Sequence, residues 1–217
     1  MEIKRKNCRK REISMAILLS ILWVLCPCVQ AQSKAVVSQE TKAFRAKYKA
    51  DFLKEKRSPF YGKAKDLEQL SFYAPKRKYR IAGRFERTLD AEVFDMATYS
   101  GQTQKYVQYG WIHYDWRGKK EKIAVYQSLR LREVEEYKDH LFIPFRDQTS
   151  DRSTYGGGRY IDMATTDIQG EQVTLDFNQC YNPYYAFKGG YSCPIPPREN
   201  NLTWAVKAGE KKFKGKH

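Results

Sequence analysis

Residue types capable of directed chemistry gather in the second half of this 217-residue chain. The run Phe145-Arg146-Asp147-Gln148-Thr149 comes first. "TYGGGRYID" follows at Thr154–Asp162, then "LDFNQCYNPYYAF" at Leu175–Phe187, then "SCPIPPRENN" at Ser192–Asn201. Arg146 and Arg159 offer planar guanidinium forks that match a carboxylate or phosphate bidentately, or that pair with Asp147, Asp162 or Asp176 inside the fold. Asp176 and Asn178 stand two apart, so on a strand both leave one face and offer an acid and an amide. Alternatively they cap the following loop, because Tyr181-Asn182-Pro183 marks a turn. Tyr155 and Tyr160 supply flat walls and Asn182 a further orienting amide. With the two arginines, Asp147, Asp176 and Asn178, these form the candidate ligand-binding set.

The glycines at 156–158 either bring backbone N–H groups close to an anion or turn the chain at positive φ, and the turn is the favoured reading. No Lys-Ser/Thr follows them, so they are not a phosphate-binding P-loop. Beyond residue 31 the histidines are His113, His140 and His217, none inside the polar blocks, so a nucleophile–base pair needs His113 or His140 to approach in space. Metal-binding spacings such as HExxH or CxxC are missing there, and neither metal nor cofactor is expected. A pair of hydrolytic carboxylates would be drawn from Asp147, Asp162, Asp176 and Glu199.

These groups need a scaffold, and the hydrophobic period supplies one. Phe44, Tyr48 and Phe52 recur every four residues and predict a helix over 38–56, capped by Ser38 and stopped at Ser58-Pro59. The period then falls to two. Tyr79, Ile81 and Phe85 alternate with arginines; Ile123, Val125, Leu129 and Leu131 share one parity; so do Val173, Leu175 and Phe177, and Leu202, Trp204 and Val206. Arg117-Gly118-Lys119 and Gln169-Gly170-Glu171 mark turns. The expectation is a mainly β fold, an antiparallel sandwich or partly open barrel with an N-terminal amphipathic helix.

The chain starts with Lys4, Arg5, Lys6, Arg9, Lys10 and Arg11, followed by an apolar run from Ile13 to Val29. This predicts a signal peptide over 1–31, cleaved after Ala31, then a helical segment over 32–57 and a β-rich domain over 58–217. A retained span is disfavoured by Pro27. A lipoprotein is disfavoured because no small residue precedes Cys26 or Cys28. The protein is therefore expected in the periplasm or secreted. The whole chain carries a net +15; without six bases and two acids of the leader it keeps 34 against 23, a net of +11. The charge is scattered and ends in a lysine tail, which argues for weak attraction to anionic surfaces and against nucleic acid. An oxidising compartment permits one disulfide, Cys180 to Cys193; two separate buried thiols are the alternative.

The blocks "PFRDQTS", "STYGGGRYID", "LDFNQCYNPYYAF", "SCPIPPRENNL" and "VKAGEKKF", with "RSPF" and "LSFYAPKRKYRIAGRF" before them, resemble the bacterial and archaeal DUF1684 family. The resemblance implies a β-rich, often exported domain with no established activity. Ser153 stands where that pattern has an acid, Tyr185 where cysteine is common, and Cys180 where a small residue is usual. A carboxylate mechanism at position 153 is thereby undercut. The combined expectation is an exported binding module for a small polar or anionic envelope-associated ligand. The alternative is a hydrolase using Asp147 or Asp176 as acid or base.

Overall fold

A computed structural model describes residues 33–215; the expected signal peptide lies outside the described residues. Seven antiparallel strands form one curved sheet, a half-barrel, so of the two expected architectures the partly open barrel is the one found. The strands are β1 (Arg80–Arg87), β2 (Val93–Ala97), β3 (Thr103–Trp116), β4 (Lys119–Ser128), β5 (His140–Phe145), β6 (Arg159–Ala164) and β7 (Gln172–Asp176). Their order is β6-β5-β4-β3-β1-β7, and β2 pairs with the first part of β3. Arg117 (φ 51°) and Gly118 (φ 79°) join β3 to β4, two successive left-handed residues that match the twist of a tight hairpin.

Strand parity sorts residues onto two faces. Ile81, Phe85, Ile112, Ile123, Val125, Leu141, Ile143, Ile161 and Leu175 enter the main core. A second cluster on the opposite face holds Tyr106, Ala124, Tyr126, Phe142 and Tyr160. Two strand expectations are corrected. Leu129 and Leu131 do not extend β4, because Ser128 caps the short helix α2 (Leu129–Arg132), its Oγ accepting from Leu131 N at 3.3 Å. Leu202, Trp204 and Val206 are buried in alternation but lie on irregular chain. That chain is pinned by side chains: Trp204 stacks on Trp116 at 4.0 Å between centroids, and the Val206 and Lys207 amides donate to Asp147 Oδ1 and Tyr79 Oη.

Helix α1 runs from Lys34 to Lys54, four residues earlier than expected, because Ser33 rather than Ser38 caps it. Its Phe44–Tyr48–Phe52 face packs inward, and Phe52 is 1% exposed, a burial worth about 2–3 kcal/mol. Polar ties fix its position. Glu40 accepts from Arg80, Arg45 Nη2 donates to Tyr73 O at 2.9 Å, and Tyr48 Oη donates to Glu210 Oε2 at 3.0 Å. Among the described residues no helix is long and apolar enough to cross a membrane.

Candidate functional site

The polar blocks fold into a closed network. Arg159 begins β6, whose core-facing parity is 159, 161, 163, so its guanidinium enters the interior beside Ile161 and is 0% exposed. Nη2 donates to Asp147 Oδ2 at 2.8 Å and Val206 O at 2.9 Å; Nη1 donates to Glu210 O at 3.1 Å and to Ala208 O. One cation thus serves three alternate carbonyls of the irregular C-terminal chain, the acceptors that a neighbouring strand would otherwise satisfy. Asp147 completes the pin: Oδ1 accepts from Thr149 N, Thr149 Oγ1 and Val206 N at 2.7, 2.7 and 3.0 Å. Structural pairing, one of the two readings open for Arg159, is what this geometry supplies.

Asp176 ends β7 instead of pointing from it. Its Oδ1 accepts from Asn178 N at 2.9 Å and Asn178 Nδ2 at 2.8 Å, capping the turn at 177–179. The Asn178 amide pairs with both backbone groups of Lys76, at 2.9 and 3.1 Å. Asn182, 0% exposed, donates Nδ2 to Lys211 O at 2.9 Å and its backbone N–H to Glu210 Oε2 at 2.8 Å. Five of the eight candidates (Asp147, Arg159, Asp176, Asn178 and Asn182) are therefore buried braces.

The other three diverge. Arg146 is exposed. Tyr155 is half-buried beside Tyr99 and lines a hollow of ≈ 400 Å³ with Asp151, Gly156, Gly157 and Lys212. Tyr160 has the opposite parity to Arg159 and faces the second cluster, its Oη donating to Pro194 O. The glycines turn the chain: Gly158 has φ 96°, and a Cβ there would lie 2.5 Å from Phe145 O. The eight candidates do not converge on one hollow. Nor is the expected disulfide present. Cys180 and Cys193 are free thiols, the first inside the main core and the second packed on the opposite-face cluster. Burial raises both, Cys180 to about 11, so neither is an activated thiolate.

The open space lies where parity sends Tyr160. A groove of ≈ 820 Å³ runs between α1 and the outer face of β5 and β6. Rings of Tyr48, Tyr106, Phe142, Tyr160, Tyr181 and Tyr184 line it. His140 and Asp162 stand at the outer-face positions of β5 and β6, and His140 Nε2 meets Asp162 Oδ1 at 3.0 Å. Tyr181 Oη donates to Asp162 Oδ2 at 2.6 Å. Burial, then the Asp162 charge, hold the Tyr181 phenol well above its ordinary value, so it stays a donor. Behind the wall formed by Tyr48 and Tyr181 sits Glu210, 0% exposed and raised to about 8 by burial. Sequence reading passed over most of this site. Its legible signal was the parity of "RYIDM": Ile161 and Met163 mark the core side, which assigns Arg159 inward and Tyr160 and Asp162 to the other face.

Among the described residues no group of three or more His, Cys, Asp or Glu side chains could hold a metal ion. A family model described as "Protein of unknown function (DUF1684)" matches residues 65–211. The chain is similar to an uncharacterized protein of Haloarcula marismortui solved by solution NMR, with 29% identity and a TM-score of 0.59 over 80% of this chain and 97% of that one. No curated protein matches.

Proposed function

The chain belongs to the DUF1684 family, and for it we propose a binding function seated in the groove between α1 and the β5–β6 face. The ligand is a small polar molecule with an apolar side. One observation carries the reading: nine aromatic rings, with Tyr181 also joined to the Asp162–His140 pair, line a single open volume of ≈ 820 Å³, within the few hundred to about 1,000 Å³ usual for small-molecule sites. Rings cover the ligand's apolar side while the array orients its polar groups. The basic start and apolar run of residues 1–31 support export, and an envelope ligand would suit that location.

The hydrolase alternative is weaker. Asp147 and Asp176 spend their oxygens on backbone amides, Arg159 and Asn178, so neither is poised as acid or base toward a substrate.

The test is a thermal-shift screen of the purified protein against sugars, amines and organic acids, repeated with Tyr137→Ala. Tyr137 lines the groove mouth and is 43% exposed, so its removal leaves the core intact. A ligand that raises the melting point of the parent, and raises it less in the variant, supports the site. A ligand whose effect is unchanged in the variant, or no effect from any compound, counts against it.

A further inference from the structure

Resting on that reading of the groove, we infer that its ligand is an organic cation of the quaternary-ammonium type, held by ring faces within a carboxylate-rich rim. The charge sign comes first. Besides tyrosines and Cys193, the titratable residues lining the groove are Asp51, Glu55, Glu136 and Asp162 against Lys47, Lys54 and His140. Lys47 and Asp51 pair with each other at 2.5 Å. That leaves three carboxylates facing one lysine and one histidine, an acidic excess in a chain whose formal total is +15. The groove is thus an acidic island on a basic protein. An anion would meet repulsion there, whereas a cation would be attracted from solution.

The shape of the cation follows from the donors already in place. Tyr184 Oη donates to Glu55 Oε2, Tyr181 Oη occupies Asp162 Oδ2, and the Tyr137 hydroxyl lies against Glu136. Asp162 Oδ1 already meets His140. A primary ammonium carries three N–H donors and a strong hydration shell, which a groove walled largely by rings replaces poorly. Phe44, Tyr48, Tyr137, Tyr181 and Tyr184 by contrast keep part of their rings outside the core along this groove. A quaternary ammonium has no N–H to satisfy, spreads its charge over methyl groups, and is favoured over aromatic faces. Long-range attraction from the rim adds to this without requiring a direct hydrogen bond.

Isothermal titration calorimetry with choline chloride, glucose and sodium succinate at matched ionic strength tests the inference, using the purified protein and Asp162→Asn, Glu136→Gln and Tyr137→Ala. Asparagine keeps a partner for both Tyr181 and His140 while removing the charge, so Asp162→Asn is expected to fold. The predicted result is saturable choline binding, weakened about three- to tenfold by each loss of charge. Choline binding that neither charge-removing variant weakens overturns the inference. Saturable binding of glucose or succinate, lost in Tyr137→Ala, with none of choline, overturns the cation but leaves the groove as the site. No saturable binding of any of the three overturns both.

Discussion

Glu210 offers a perturbation whose size can be worked out from the structure. Its carboxyl is fully buried; Oε2 accepts from Tyr48 Oη and Asn182 N, while Oε1 has no partner. Burial outweighs those two bonds and the neighbouring Arg159 charge, raising the group from its ordinary 4.5 to about 8. In the unfolded chain the proton leaves near 4.5; in the folded protein it is held until about 8. Between those values unfolding releases a proton, so stability falls as pH rises through the window and levels off above it. At about 1.4 kcal/mol per pH unit the ceiling on this loss is about 5 kcal/mol, and local relaxation will bring it to a few. Glu210→Gln removes the titration and keeps the shape: the amide oxygen takes the two bonds of Oε2, and the amide nitrogen stands where the protonated oxygen was. Urea unfolding followed by circular dichroism at intervals from pH 4.5 to 8.5 provides the assay. The parent should lose a few kcal/mol relative to Glu210→Gln across that range, with the variant the more favoured at alkaline pH. Parallel stability curves for the two proteins would refute the reasoning, because they would mean that Glu210 does not hold its proton through this window.

Other perturbations follow from the same geometry. Arg159→Met should destabilise by about 3–5 kcal/mol in urea unfolding, since it strands a buried Asp147 carboxylate and the carbonyls of Val206, Ala208 and Glu210; a loss below about 1 kcal/mol would deny the pin its role. Gly158→Ala should cost about 2 kcal/mol or more by the same measurement, because both the φ of 96° and the 2.5 Å approach to Phe145 O exclude a side chain; an unchanged midpoint would mean that the turn differs. Alkylation under denaturing, non-reducing conditions followed by mass spectrometry should label both Cys180 and Cys193; a peptide carrying the two joined would contradict the separate packing of these thiols.

The strand content was legible because hydrophobic alternation is a direct consequence of pleat geometry: Ile81 and Phe85, Ile123 and Val125, and Val173 and Leu175 all enter the core as their parity requires. The same rule failed at Leu202–Val206, where alternation is real but Leu202 and Trp204 pair briefly with the backbone of Arg146 and Gln148, and from Val206 on the partners are a guanidinium, a carboxylate and a phenol. Periodicity reports which side is buried, and it is silent on what satisfies the backbone. The α1 cap was misplaced because Ser33 and Ser38 look alike in sequence.

The closure of the polar blocks was hidden for a related reason. A cluster of Arg, Asp and Asn has the same composition whether it lines a pocket or braces a core. Only three-dimensional closure, with Arg159 meeting the carbonyls and Asp147 an amide of one distant segment, separates the two cases. Tyr160 was the member of the set that lines the groove, and its neighbours there come from α1, β3, β5 and the 181–184 turn. No local motif joins those segments. Glu210 was equally hidden, an acid among lysines in "AGEKKF" that only the fold removes from water.

The account rests on the groove under α1, rather than the polar network around Arg159, being where this protein meets a small molecule. The most direct measurement is a two-dimensional amide NMR titration of the isotope-labelled protein with choline, glucose and succinate in turn. Saturable shifts confined to the α1 residues around Tyr48 and Phe52, to His140–Phe142, to Asp162 and to Tyr181–Tyr184 are the predicted result. Shifts centred on Tyr155–Gly158 and Arg146, or spectra that none of the three compounds changes, would contradict it.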